Sequence, residues 1–167
     1  MRRILLLCAL ATMLVLGVAP GASAETTHGR PVDGTLTGPG GFRSQGCGVI
    51  TQVGSGTFRA QGLGPGTYEF NVCVTTDPVI TFDGTMTLTT TGGATLNGTI
   101  SGTYTGGAGP TFDVAITGGT RQFARAGGSL TIGPLVQSDH TNCDPRIGIC
   151  LDWHDTGAIT GTITNVA

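Results

Sequence analysis

The sequence predicts an all-β protein, an antiparallel barrel of about eight strands. Three observations predict it. Short runs alternate apolar and polar residues with period two, and threonine is the commonest polar partner. Gly- and Pro-rich turns separate the runs. No stretch keeps a 3.6-residue apolar period for three turns.

The elements follow in order. TYEFNVCVT sets Tyr68, Phe70, Val72 and Val74 against Glu69, Asn71 and Cys73. DGTMTLTT sets Gly84, Met86 and Leu88 against Thr85, Thr87 and Thr89. ATLNGTISGTYT sets Leu96, Gly98, Ile100, Gly102 and Tyr104 against Thr95, Asn97, Thr99, Ser101 and Thr103. TFDVAIT places Phe112, Val114 and Ile116 on one side, and GAITGTIT does the same with Ile159, Gly161 and Ile163. The turn signals GLGPG, TDP, TTGGA and GGAGP punctuate them. Strands joined by short turns are antiparallel, which leaves a sandwich or a barrel. Glycines on the apolar side, at 84, 98, 102 and 161, favour a barrel, because such glycines let strands bend sharply. They stand for curvature alone or for a cavity. The recurring Gly-Thr-apolar unit has no fixed period, which argues against a solenoid.

The first 24 residues carry Arg2 and Arg3, an apolar run from Ile4 to Val18 and a closing Ala22-Ser23-Ala24. That is the layout of a secretory signal cleaved between Ala24 and Glu25, and the run is short for a membrane span. Residues 25–31 read as a flexible lead-in and 32–167 as a single barrel domain. Losing Arg2 and Arg3 leaves six arginines against ten acids, a net charge of −4. With no basic block, nucleic acid and anionic membrane surfaces are not expected partners. Four cysteines remain after processing: Cys47, Cys73, Cys143 and Cys150. In an exported chain they read as two disulfides, Cys47–Cys73 and Cys143–Cys150, with a metal site as the competing reading. The absence of a CxxC pair speaks against zinc. Loop-closure entropy gives about 3.5 kcal/mol for the longer loop and about 2.5 for the shorter.

Between two Gly-Gly pairs, the stretch GGTRQFARAGG places Arg121 and Arg125 on either side of Phe123. It joins two strands, and Gln122 to Ala126 suit one helical turn. Phe123 is then expected to fold inward as a plug for one barrel end. Arg121 and Arg125 are solvated, paired with Asp113 or Glu69, or candidates for an anion site. ITGGTRQFARAGGSLTI resembles the Gly-Gly-Thr-Gly-x-Phe-x-x-Ala-x-Gly segment of dirigent proteins and allene oxide cyclases, a pattern shared by many secreted bacterial proteins. The matching positions are Gly118, Gly119, Thr120, Phe123, Ala126, Gly127 and Gly128, with Arg121 where the second glycine of Gly-Thr-Gly usually stands. The resemblance implies an eight-stranded antiparallel barrel with a central cavity that, in plant members, steers cyclisation or radical coupling of apolar ligands. It supplies no catalytic residue to carry onto this chain.

The other unusual segment is SDHTNCDPRIGICLDWHD, residues 138–155, which holds half of the eight Asp, two of three His and the only Trp. It reads as a polar, disulfide-stapled loop over the barrel mouth. Its functional readings are ligand binding by His140, Trp153 and His154, alongside Arg121 and Arg125. A metal site is the weaker reading, drawn from Asp139, His140, Asp152, His154 and Asp155. No HExxH spacing, Ser-His-Asp order, Gly-x-Ser-x-Gly elbow or phosphate loop occurs, so no cofactor and no catalytic residue is assigned. The leading expectation is a secreted binding module, monomeric or weakly associating, for a small apolar ligand or an extracellular surface. The alternatives are a cyclase- or isomerase-like enzyme working in a barrel cavity, and a structural protein whose Thr-rich outer face meets polymer or cell surface.

Overall fold

The computed structural model describes residues 29–43, 47, 50–76, 78–104, 106–107, 109–146 and 148–166. The expected secretory signal and its expected cleavage site lie outside them. Nine strands are described: β1 (Arg30–Arg43), β2 (Ile50–Gln61), β3 (Gly64–Thr75), β4 (Ile80–Thr90), β5 (Thr95–Tyr104), β6 (Thr111–Gly119), β7 (Gly127–Ile132), β8 (Val136–Asp144) and β9 (Ile149–Thr164). Each of β1 to β6 pairs antiparallel with the next along the chain. The 16-residue β9 closes the sheet between β7 and β1. The result is an eight-stranded antiparallel barrel with β8 as an extra strand on β9.

The register can be followed round the wall. Phe42 pairs with Gln52, then Val72, Gly84, Ile100, Val114, Leu130 and Gly161 follow, and the path returns to β1 at Val32, ten residues below Phe42. That offset is the stagger a closed barrel needs to tilt its strands. The period-two runs put Tyr68, Phe70, Val72, Met86, Leu88, Leu96, Ile100, Phe112, Val114, Ile159 and Ile163 inside, all buried. The ring pairs Phe70–Phe112 and Phe82–Phe112 cross the centre edge-to-face at 5.6 and 5.1 Å.

The inward glycines decide between curvature and cavity. A Cβ on Gly84 would overlap the Asn71 carbonyl and the Val72 backbone, and one on Gly98 would overlap Val114. Neighbouring strands occupy the space, so these glycines serve close approach and bending.

The two ends differ. At the lower end, GGTRQFARAGG forms a single 3-10 turn, Arg121–Phe123, and Phe123 is 1% exposed, buried with Leu63, Ala94 and Ala126. The plug is therefore present. Arg121 and Arg125 are both exposed. Arg121 donates to the Gly92 carbonyl rather than pairing with Asp113 or Glu69. Its φ is +54°, a left-handed conformation that glycine adopts freely, which explains why a glycine suits this position.

At the upper end, the segment 138–155 departs from the expected loop. It forms most of β8 and the first half of β9, an antiparallel hairpin that runs on past the barrel. β8 is exposed along nearly its whole length, so its side chains need not alternate, whereas β9 keeps apolar residues at Ile149, Leu151 and Trp153 and buries only the last of them. Strand pairing also begins earlier than the expected lead-in allows: Arg30 and Pro31 already face Ile163 and Thr162. Both disulfides join the expected cysteines, Cys47 to Cys73 and Cys143 to Cys150. The first sits on the outer wall of β3, and the second staples the tip of the arm, where Cys143 lies opposite Cys150.

Candidate functional site

The segment singled out in sequence becomes two different surfaces because β9 alternates. Even positions face outward and odd positions inward. Outward, Asp152 takes an ion pair from Arg43 of β1 at 2.8 Å and a hydrogen bond from Asn142 of β8 at 3.3 Å. The hydrogen bond from Arg43 is the main cause that holds its carboxyl below the ordinary range. His154 shares a 2.8 Å hydrogen bond with Thr37. Asp139 and His140 lie exposed on β8, where a bulge between Ser138 and Thr141 breaks the register. Inward, Trp153 is 5% exposed and Asp155 is fully buried. The structure thus separates the five acidic and imidazole candidates, and among the described residues no group of three His, Cys, Asp or Glu is placed to hold a metal ion. Arg121 and Arg125 are at the opposite end of the barrel from Trp153.

The inner half of this constellation has unusual chemistry. The Trp153 indole Nε1–H donates to Asp155 Oδ1 at 2.8 Å, and the Trp153 ring meets Phe42 edge-to-face at 4.8 Å. Asp155 Oδ2 has no partner, and neither do two other buried polar atoms, the Tyr68 hydroxyl and Gln52 Nε2. Burial pushes the Asp155 carboxyl up from 3.8 to about 6, while Trp153, Gln137, His154 and His140 pull it the other way. Burial, and after it the charge of Asp155, pushes the Tyr68 phenol up as well. Room for the carboxyl comes from Gly40 on β1, where a Cβ would overlap Asp155 Oδ2. Gly54, the β2 partner of Gly40, yields its space to the Phe70 ring in the same way.

The outer face of the same wall is concave. A groove of about 730 Å³ crosses β1 to β4, with Pro39, Gly40, Val53 and Gly54 along it. Its polar lining comprises Ser55, Glu69, Asn71, Thr85, Thr87 and Thr141, with the Arg43–Asp152 pair at one side. Below it on the same strands lies a second groove of about 590 Å³, lined by Thr35, Thr37, Thr57, Thr67, Thr89 and Arg59. A row of threonines runs across the sheet here in register: Thr156, Thr37, Thr57, Thr67, Thr89 and Thr95. Neighbouring members repeat at the strand spacing, roughly 4.8 Å.

Asp155, Gln52 and the outer groove were missed in sequence for different reasons. Extending the odd-number alternation of GAITGTIT back through Gly157 reaches Asp155 and Trp153 and signals the buried pair. Glu69, judged unburied from its strand, is indeed exposed, and it lines the groove. The concavity itself has no sequence signature. Comparison with protein-family models, with curated proteins and with solved structures finds no match to this chain.

Proposed function

We propose that this chain is an exported binding module that docks through the outer wall of β1 to β4 onto an uncharged, polyhydroxylated polymer. One observation carries the reading. Two grooves lie end to end on the same four strands, lined mainly by hydroxyls and an amide, with the charges of Arg43, Arg59, Glu69 and Asp152 balanced in sign. Sugar hydroxyls donate and accept, and Ser55, Glu69, Asn71 and the threonines offer both roles. Pro39, Val53 and the glycines supply apolar floor for sugar faces. The filled barrel interior favours this reading over a small apolar guest and over a cyclase- or isomerase-like reaction in a cavity. Two disulfides fit an oxidising compartment, and among the described residues no helix is long and apolar enough to cross a membrane. The resemblance to dirigent proteins and allene oxide cyclases agrees with the barrel and does not bear on the groove.

The test is co-sedimentation with insoluble cellulose, chitin and starch, followed by titration with soluble oligosaccharides of whichever is bound. Asn71→Ala and Glu69→Gln are expected to weaken binding about fivefold each, the scale of one net hydrogen bond. Arg125→Ala, at the far end, leaves it unchanged. Retention on none of the three polymers, or affinity indifferent to both groove variants, would sink the proposal.

A further inference from the structure

We infer that Asp155 is a proton-operated latch that holds Trp153 inside the upper barrel. Asp155 is fully buried, one oxygen accepts the indole N–H at 2.8 Å, and the other faces the backbone of Gly40 with no donor. In the neutral acid, the bare oxygen carries the proton and the site holds no charge. When the proton leaves to water, a full negative charge rests on a carboxylate served by the Trp153 indole at 2.8 Å and by the Gln137 amide of β8, and burial outweighs both. A buried, undersolvated charge is costly, and either the group stays neutral or water reaches it.

The surroundings offer little compensation. From β3, Tyr68 contributes a phenol that burial keeps neutral. From β1, Gly40 brings no side chain. From β8, Gln137 lies opposite Asp155, and His140 lies further along the same strand, exposed. His154, next in the chain, faces outward onto Thr37. Burial outweighs all of these and places the titration near pH 6. Water can reach the charged carboxylate if the root of the β8–β9 arm lifts from β1, because Gly40 and Trp153 close the site from that side. The same two residues line the outer groove, so release of Trp153 reshapes it. This consequence for binding rests on the groove reading above; the latch itself does not.

Trp153 is the only tryptophan in the chain, so intrinsic fluorescence reports on this one hydrogen bond. Between pH 4 and 8 the protein is expected to show one transition near pH 6, with a red shift and greater acrylamide quenching on the alkaline side. Asp155→Asn removes the transition and keeps Trp153 protected throughout. His154→Gln and His140→Gln keep it, with the midpoint moved slightly upward because a nearby positive charge is lost. If Asp155→Asn fails to fold, the indole N–H resonance of the wild-type protein, followed by NMR over the same range, must titrate with the same midpoint. A transition that survives Asp155→Asn, its absence in the wild-type protein, or unchanged quenching across it overturns the latch. Polymer affinity at pH 5 and pH 7.5 then tests the link to the groove. Equal affinity at both values severs that link, whereas binding at neither refutes the groove reading and leaves the fluorescence result standing.

Discussion

The barrel's two ends solve the same problem, sealing a sheet closed on itself, with opposite chemistry. The lower end is sealed by an apolar plug, in which Phe123 is buried with Leu63, Ala94 and Ala126. The upper end is filled by Trp153 and Phe42 around a carboxyl, a phenol and an amide that leave three polar atoms unpartnered. The lower end reverses β2–β3 and β4–β5 in tight turns beside the plug, whereas the upper end extends into an exposed two-stranded arm. An apolar seal contributes stability without conditions. A polar seal makes stability depend on protonation, and it lies directly behind the outer groove. The contrast places the adjustable part of the molecule at the upper end and the fixed part at the lower.

The largest expected effect breaks the lower seal. Phe123→Ala should cost about 3–5 kcal/mol, the usual result of truncating a buried aromatic, seen as a sharply lowered denaturant midpoint. A midpoint equal to the parent's would remove Phe123 from the core. The upper seal should instead respond to pH. The unfolded Asp155 carboxyl titrates at 3.8 and the folded one at about 6, so the native state holds the proton more tightly between those values. Its contribution is complete below pH 3.8 and is lost as pH rises through 6. A difference of about two units corresponds to roughly 3 kcal/mol. Asp152 acts in the opposite sense: held low chiefly by the hydrogen bond from Arg43, it stabilises at higher pH and loses that contribution as pH falls. Unfolding free energies at pH 4 and 7 for the parent and Asp155→Asn isolate the buried group, and an identical pH dependence in the two proteins would exclude it.

Smaller effects sharpen the contrast. Tyr68→Phe removes a buried hydroxyl that has no partner, so it should be neutral or stabilising by about 1 kcal/mol. A loss of 2 kcal/mol or more in chemical denaturation would show that the hydroxyl has a partner in solution. Smallest of all, Arg125→Ala at the exposed rim of the plug should change stability by less than about 0.5 kcal/mol. A larger loss would mean that the lower end, too, depends on charge.

Much of the barrel was legible in the chain. The strands β3 to β7 and the second half of β9 each bury one face, so their side chains alternate and the period of two is written out, as in Tyr68, Phe70, Val72 and Val74. The plug was legible because an aromatic between paired glycines is rare in a Thr-rich chain, and the cysteine pairing because only a short, turn-containing segment separates Cys143 from Cys150. β1 was not: its GPGG run shows no apolar alternation, and pairing on both sides, with β2 and β9, keeps Pro39 and three glycines extended. Nor was β8, an exposed strand with no apolar face to betray it. The alternation of Ile149, Leu151 and Trp153 at the start of β9 sits between Cys150, Asp152 and His154 in a segment whose polar residues read as a loop.

By itself the sequence determined the class of fold, the inward set of side chains and the cysteine partners, because each of these follows from neighbours one or two residues apart or from residue type. The tertiary structure alone decided that Asp155 is buried, that the hydroxyls of six strands fall into one row and that the wall of β1 to β4 is concave. Those facts depend on the ten-residue stagger that brings Gly40 against Asp155 and Thr37 beside Thr156. Stagger is a property of the closed ring of pairings, and no single strand contains it.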